Sequence, residues 1–147
     1  MSALRDGIEL AKALEGESIN TYEIYQTITE HPDLHRMLQA LIEGGLARVQ
    51  DLERFESRFD PERITDVTKL AGLHIDDLRI AQVFDAGIEY TDFLELICER
   101  ERDTAVLYDR LAAVVADREP QYALKRLAED TRRQLCLIRS RLELERL

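Results

Sequence analysis

A glutamate and a tyrosine seven residues apart, Glu15 and Tyr22, recur 86 residues later as Glu101 and Tyr108. Each pair sits in an apolar series that steps by three and four. The first runs Leu4, Ile8, Ala11, Glu15, Ser18, Tyr22, Tyr25; the second runs Leu94, Ile97, Glu101, Thr104, Tyr108, Leu111, Val115. That period puts each pair on the inward face of an α-helix. A carboxylate committed to such a seam can ligate a cation, meet a counter-charge or hold a proton. A phenol two turns along stands beside it as a core aromatic or a hydrogen-bond donor. The plainer alternative is a pair of edge carboxylates that reach water.

Long amphipathic helices must carry these pairs. The first is expected from a cap at Ser2 to about Glu30, ending at His31-Pro32-Asp33, where proline disfavours a helical residue before it and suits the first turn of the next helix. The second, residues 32–57, carries Leu34, Leu38, Leu41, Val49, Leu52 and Phe55, with Gly44-Gly45 near its middle. Two glycines there cost about 2 kcal/mol relative to alanine, so the helix either breaks or needs small residues at that level. In the crossover, Ile64, Val67, Leu70, Ala71, Leu78, Ala81 and Phe84 suggest one or two short helices, punctuated by Gly72 and Gly87. A third helix over residues 91–116 repeats the first, and a fourth follows Pro120. An offset of 86 also pairs Asp6 with Asp92, Glu9 with Glu95, Leu10 with Leu96, Leu38 with Leu124, Leu41 with Leu127 and Glu43 with Glu129. The reading is one all-α domain over residues 1–147, a duplicated helical hairpin: hairpin one 2–57, crossover 58–90, hairpin two 91–147.

Composition agrees with that class. Charged residues make up 34 % of the chain, Gly (6) and Pro (3) are scarce and Trp is absent, as in a helical bundle. A formal net charge of −10 argues against nucleic acid or an anionic membrane as partner. The cluster Lys125, Arg126, Arg132, Arg133, Arg139, Arg141 reads as a solvated face. The longest apolar run, Leu111 to Ala116, is too short to span a bilayer, and no apolar leader follows Met1, so a cytoplasmic protein is expected. Cys98 and Cys136 lack C-x-x-C spacing and read as buried free thiols.

Two hairpins joined by a long crossover, with an inward glutamate on helices one and three, form the frame of a di-iron carboxylate bundle. Such a site takes four carboxylates and two imidazoles. The stretch Asp92-Phe-Leu-Glu-Leu-Ile-Cys-Glu-Arg-Glu-Arg-Asp-Thr-Ala-Val-Leu-Tyr-Asp-Arg-Leu-Ala112 resembles the third helix of the rubrerythrin branch of the ferritin-like superfamily, and Glu15 to Tyr22 resembles its first. The resemblance implies a ferritin-like left-handed four-helix bundle with a helical crossover. It also implies a Glu-x-x-His on helix two, at Gly45 and Arg48, and another on helix four, at Thr131 and Gln134. None of those four positions holds a ligand. Glu43 and Glu129 do not help, since their i+3 partners are Leu46 and Arg132. His31 and His35 lie about ten residues, ~15 Å, from the ligand level, and His74 lies in the crossover. The rubredoxin-type domain of full rubrerythrins has no counterpart, because the chain has no pair of C-x-x-C motifs.

The first reading is therefore a ferritin-like bundle without cofactor, a non-catalytic interaction or regulatory module. A second is a di-iron oxidase or peroxidase using Glu15 and Glu101 with unorthodox ligands. A third is a binder of a small apolar ligand between the hairpins near Gly44-Gly45. Ile24, Ile28, Leu46 and Leu73 lie off the main seams, which points to a homodimer. Without metal, two inward carboxylates need a counter-charge. Arg48 stands at their level, and unless Arg132 also turns inward the other glutamate is expected to hold its proton near neutrality.

Overall fold

The computed structural model describes residues 3–73 and 88–147. Helix α1, Ala3–Ile28, is followed by α2, Pro32–Arg58, with Pro32 in its first turn and the His31 ring accepting from the Leu34 amide at 3.5 Å. A one-turn helix α3, Pro61–Ile64, is capped by Asp60, and a 3-10 turn, Val67–Gly72, is capped by Asp66. Helices α4, Tyr90–Ala113, and α5, Arg118–Glu145, complete the chain. Ser2, which was expected to cap α1, and His74, Leu78, Ala81, Phe84 and Gly87 of the crossover lie outside the described residues.

Helix α2 runs unbroken through Gly44-Gly45 because both glycines meet a neighbour too close for a side chain. A Cβ on Gly44 would fall 1.7 Å from Gln134 Nε2, and one on Gly45 would fall 2.9 Å from Ile19 Cγ1. These are the small residues that the core requires at that level. Val115, expected on the third seam, instead lies past the end of α4 and pairs with Thr65 in an isolated antiparallel bridge. Its backbone neighbours donate and accept there, Asp66 N to Val114 O at 2.7 Å and Ala116 N to Ile64 O at 2.8 Å.

The four long helices form two hairpins, α1 with α2 and α4 with α5, packed so that α1 meets α4 and α2 meets α5. In every pair the contacts run in opposite directions along the chain. Lys12 meets Glu56 and Gln26 meets Gln39 in the first hairpin; Asp109 meets Arg132 and Glu95 meets Arg146 in the second. Across the hairpins, Glu15 meets Tyr108 and Tyr22 meets Glu101, while Arg58 meets Glu119 and Ala40 O meets Gln134. All neighbours are therefore antiparallel. It follows that α2 ends and α4 begins at opposite ends of the bundle. Residues 64–66 sit beside the α4–α5 turn, whereas Tyr90 stacks on His31 at the α1–α2 turn. The 86-residue offset pairs positions of α1 with positions of α4, and positions of α2 with positions of α5.

Two apolar clusters fill the interior. One gathers Leu4, Ile8, Leu52, Phe55, Leu111 and Leu124; the other gathers Tyr25, Leu34, Leu38, Phe93, Leu94 and Ile138. Between them lies a buried polar layer of Glu15, Ser18, Arg48, Arg100, Glu101, Thr104 and Thr131. The cysteines are not buried thiols as expected: Cys98 is partly covered and Cys136 is exposed. Arg132 and Arg133 face solvent beside Asp109 and Asp130, in keeping with a solvated basic face. Among the described residues no helix is long and apolar enough to cross a membrane.

The glycines differ in what they are for, and this can be measured. Exposed Gly16 has open space around its Cβ position, so Gly16→Ala should stabilise the fold by up to about 1 kcal/mol through helix propensity. Gly45→Ala should destabilise it by about 1–3 kcal/mol despite the same gain, because the branched body of Ile19 cannot swing away. Chemical denaturation of the two variants should move the midpoint in opposite directions.

Candidate functional site

The polar layer is built by helix seams that carry a charged residue where their neighbours are apolar. Glu15 and Tyr22 come from α1, Arg48 from α2, and Arg100, Glu101 and Tyr108 from α4. The carboxylates of Glu15 and Glu101 and the phenols of Tyr22 and Tyr108 are each no more than 1 % exposed, and Arg48 is 2 % exposed. Arg48 grips Glu15 with two parallel hydrogen bonds, Nε to Oε2 and Nη2 to Oε1, the latter at 3.1 Å. The same Nη2 lies 4.0 Å from Glu101 Oε2. One guanidinium thus stands between the two carboxylates.

The tyrosines close the layer crosswise. Tyr108 donates to Glu15 Oε2 at 2.7 Å, and Tyr22 donates to Glu101 Oε1. Each phenol serves the carboxylate of the other copy rather than its own. Burial, then the neighbouring Glu101 charge, raises the Tyr22 phenol well above its ordinary range, and burial with Glu15 does the same to Tyr108. Both stay protonated donors. Burial also works against a charged Arg48, but the charge and hydrogen bonds of Glu15 outweigh it and hold the guanidinium protonated.

The two glutamates are not equivalent. Glu101 Oε2 is buried with no hydrogen-bond partner. Burial first, then the Glu15 charge, pushes the Glu101 carboxyl up to about 7, against the pull of Arg48 and the Tyr22 bond. The remaining expected positions fall around this centre without supplying donors to it. Gly45 packs on Ile19, with its Cβ direction toward Arg48 Nη2; Thr131 is buried and donates to Leu127 O; Gln134 turns to Ala40 O. Glu43 and Glu129 are exposed, His31 and His35 lie at the α1–α2 turn, and Arg132 pairs at the surface with Asp109 rather than turning inward.

Sequence reasoning missed Arg100. Its guanidinium is buried, donating to Ser18 Oγ at 2.5 Å, to Leu14 O at 3.1 Å and to Glu17 at 3.1 Å on the rim. The signal was present: Arg100 continues the series Phe93, Ile97, Thr104, Leu107, Leu111 at steps of three and four.

This donor set does not fit a pair of irons. A di-iron centre of this architecture takes four carboxylates and two histidines, whereas here two carboxylates face a guanidinium and three further positions offer a glycine, a threonine and a glutamine turned to Ala40 O. Among the described residues no group of three or more His, Cys, Asp and Glu side chains has metal-holding geometry. The space at Gly44-Gly45, where a small apolar ligand was expected, is taken by Gln134 and Ile19. Compared with protein-family models, with curated proteins and with solved structures, the chain matches none.

The chemistry left to the layer is charge neutralisation and proton retention. Because the folded Glu101 carboxyl lies at about 7 and its ordinary value is 4.5, the folded chain holds a proton that the unfolded chain has released. Stability should therefore fall as pH climbs from about 4.5 through 7, by a few kcal/mol in total. Glu101→Gln should remove most of that slope and be tolerated at pH 7.5, while Arg48→Ala, which strands the buried Glu15, should lose about 3–5 kcal/mol there. Urea denaturation at pH 5 and pH 7.5 reads both. An Arg48→Ala variant as stable as the parent would show that the guanidinium does not carry the layer.

Proposed function

We propose that the chain is a ferritin-like left-handed bundle related to the rubrerythrins, in which an arginine stands where the metal pair would, and that it acts as a non-catalytic interaction or regulatory module. The carrying observation is Arg48: its guanidinium bonds both oxygens of Glu15 and lies 4.0 Å from Glu101 Oε2, between the two carboxylates of the duplicated hairpins. A metal dication there would have to displace a buried, doubly hydrogen-bonded cation. The layer is also closed to substrate, since its carboxylates and phenols have almost no exposed surface. The antiparallel order of all four helix contacts, with α2 and α4 joined across the length of the bundle, supports the ferritin-like topology.

Metal analysis tests the reading directly. Protein purified without chelator, and again after anaerobic iron loading, should retain much less than one iron per chain. Two tightly held irons would reject it. The reciprocal variant Gly45→Glu, Arg48→His, Thr131→Glu, Gln134→His, with Ile19→Ala to clear the Gly45 contact, should gain iron and a carboxylate-bridged di-ferric absorption band.

The module is proposed to act as a cytoplasmic homodimer. Ile24, Ile28 and Leu46 are each more than two-fifths exposed, whereas Leu73 is partly buried against the core and drops out of the set expected at an interface. Sedimentation velocity at micromolar concentration should show a dimer, and a purely monomeric profile would reject this part.

A further inference from the structure

The hairpins meet along two faces, and the crossover treats them differently. On the α1–α4 side its described residues cover the seam: Glu62 lies 3.9 Å from Arg5, Leu70 and Leu73 pack against the cluster that holds Phe55 and Leu111, and Thr65 pairs with Val115. On the α2–α5 side the described crossover contributes only Arg58 and Phe59 at its start, and the surface opens into a groove of about 210 Å³ between the C-terminal end of α2 and the N-terminal half of α5.

The floor is apolar and the walls carry both charges, with Asp51 and Asp130 beside the arginines. Phe55 is buried, its ring 5.1 Å from that of the half-covered Phe59, and Leu127 completes the floor from α5. Arg54, Arg58 and Arg126 rise around it, with the Arg58 guanidinium 5.3 Å from the Phe59 ring centroid. The acidic groups nearby are already matched: Asp51 with Arg54 at 3.0 Å, Glu119 with Arg58, and Asp130 with Arg133. Arg126 has no acidic partner among the described residues. In a chain of net charge −10, the Arg126 guanidinium is left to meet an anion from solution beside an apolar floor.

We propose that this groove binds a small amphiphilic anion, a carboxylate or phosphate head held by Arg126 above an apolar body lying on Phe55, Phe59 and Leu127. Planar guanidinia bind carboxylate and phosphate oxygens with paired hydrogen bonds, which fits the head. At roughly 30 Å³ per water the groove holds about seven, so the body is a short chain or a single ring, not a long-chain lipid. The site does not rest on the metal-free reading of the buried layer, from which it is separated by the apolar cluster that holds Leu52 and Phe55. It restores small-ligand binding between the hairpins, moved from Gly44-Gly45 to the end of the bundle.

Titration of the full chain at pH 7.5 with octanoate, octyl phosphate and 1-octanol, followed by calorimetry and amide NMR shifts, tests it. At least one of the two anions should saturate, with shifts concentrated in residues 54–59 and 123–130; the tighter of the two identifies the head group. The neutral alcohol should bind about tenfold more weakly or worse, having lost the charge-assisted bonds. Arg126→Gln, at an exposed position, should keep the helical circular dichroism and weaken the anion about tenfold, while Arg139→Gln further along α5 should change nothing. Equal binding of 1-octanol, shifts centred elsewhere, an unaffected Arg126→Gln variant, or no saturation with either anion would each overturn the proposal.

Discussion

Two carboxylates buried at the centre of four helices are the constraint that the rest of this structure answers. Moving one ionised carboxylate from water into a protein interior costs several kcal/mol even after relaxation, and two within reach of each other cost more. The bundle meets that cost with groups from neighbouring helices. Glu15 of α1 is held by Arg48 of α2 and Tyr108 of α4; Glu101 of α4 is held by Tyr22 of α1, with Arg48 at longer range. No carboxylate in the layer is satisfied within its own helix. The Arg48–Glu15 pair thus ties α1 to α2 within one hairpin, while the two tyrosine bonds tie hairpin to hairpin.

The 86-residue offset makes the solution instructive, because the carboxylates keep to it and the arginines do not. Glu15 and Glu101 are related by the 86-residue offset, as are Tyr22 and Tyr108. Arg48, however, is matched by Gln134, which turns over Gly44 toward Ala40 O, and Arg100 is matched by Leu14. One cation sits close to Glu15 and none sits as close to Glu101. That asymmetry separates two carboxylates of common position into a paired anion and a proton holder with one unbonded oxygen. A change at a single α2 position, where the partner helix keeps an amide, is enough to split their behaviour.

What could be read in advance follows the range of each interaction. Seams, hairpins and the repeat are periodic along the chain, and proline at His31-Pro32 and Pro120 marks the turns, so these were legible. Arg48 was legible as a counter-charge because it occupies the position where the rubrerythrin resemblance implies a ligand histidine, at the level of Glu15. The continuity of α2 was not, since it depends on Gln134 and Ile19 arriving from other helices at Gly44 and Gly45. Nor was the crossed pairing of the tyrosines. Periodicity orients a helix face but says nothing of how far α1 is shifted along α4. The exposure of Cys136 and the departure of Val115 from its helix failed for the same reason, being set by packing at the ends of elements rather than by pattern within them.

That unread shift is what the polar layer determines. The apolar seams of α1 and α4 on either side of it are rich in Leu, Ile and Phe, and apolar packing of this kind is tolerant: volume and pattern matter more than the identity of each partner. A slip of one helical turn, about 5.4 Å, would keep most of those side chains buried. It would also carry both tyrosines past their carboxylates and draw Arg100 away from Ser18 and Leu14 O, leaving buried donors and acceptors unmatched at about 1–3 kcal/mol each. Several such losses together exceed the tolerance of the apolar packing. The layer divides the core into two clusters and adds little net stability as an ion pair, yet it allows only one register between the hairpins. A bundle made from a repeated hairpin, whose two halves resemble each other, depends on a device of that kind to adopt a single structure.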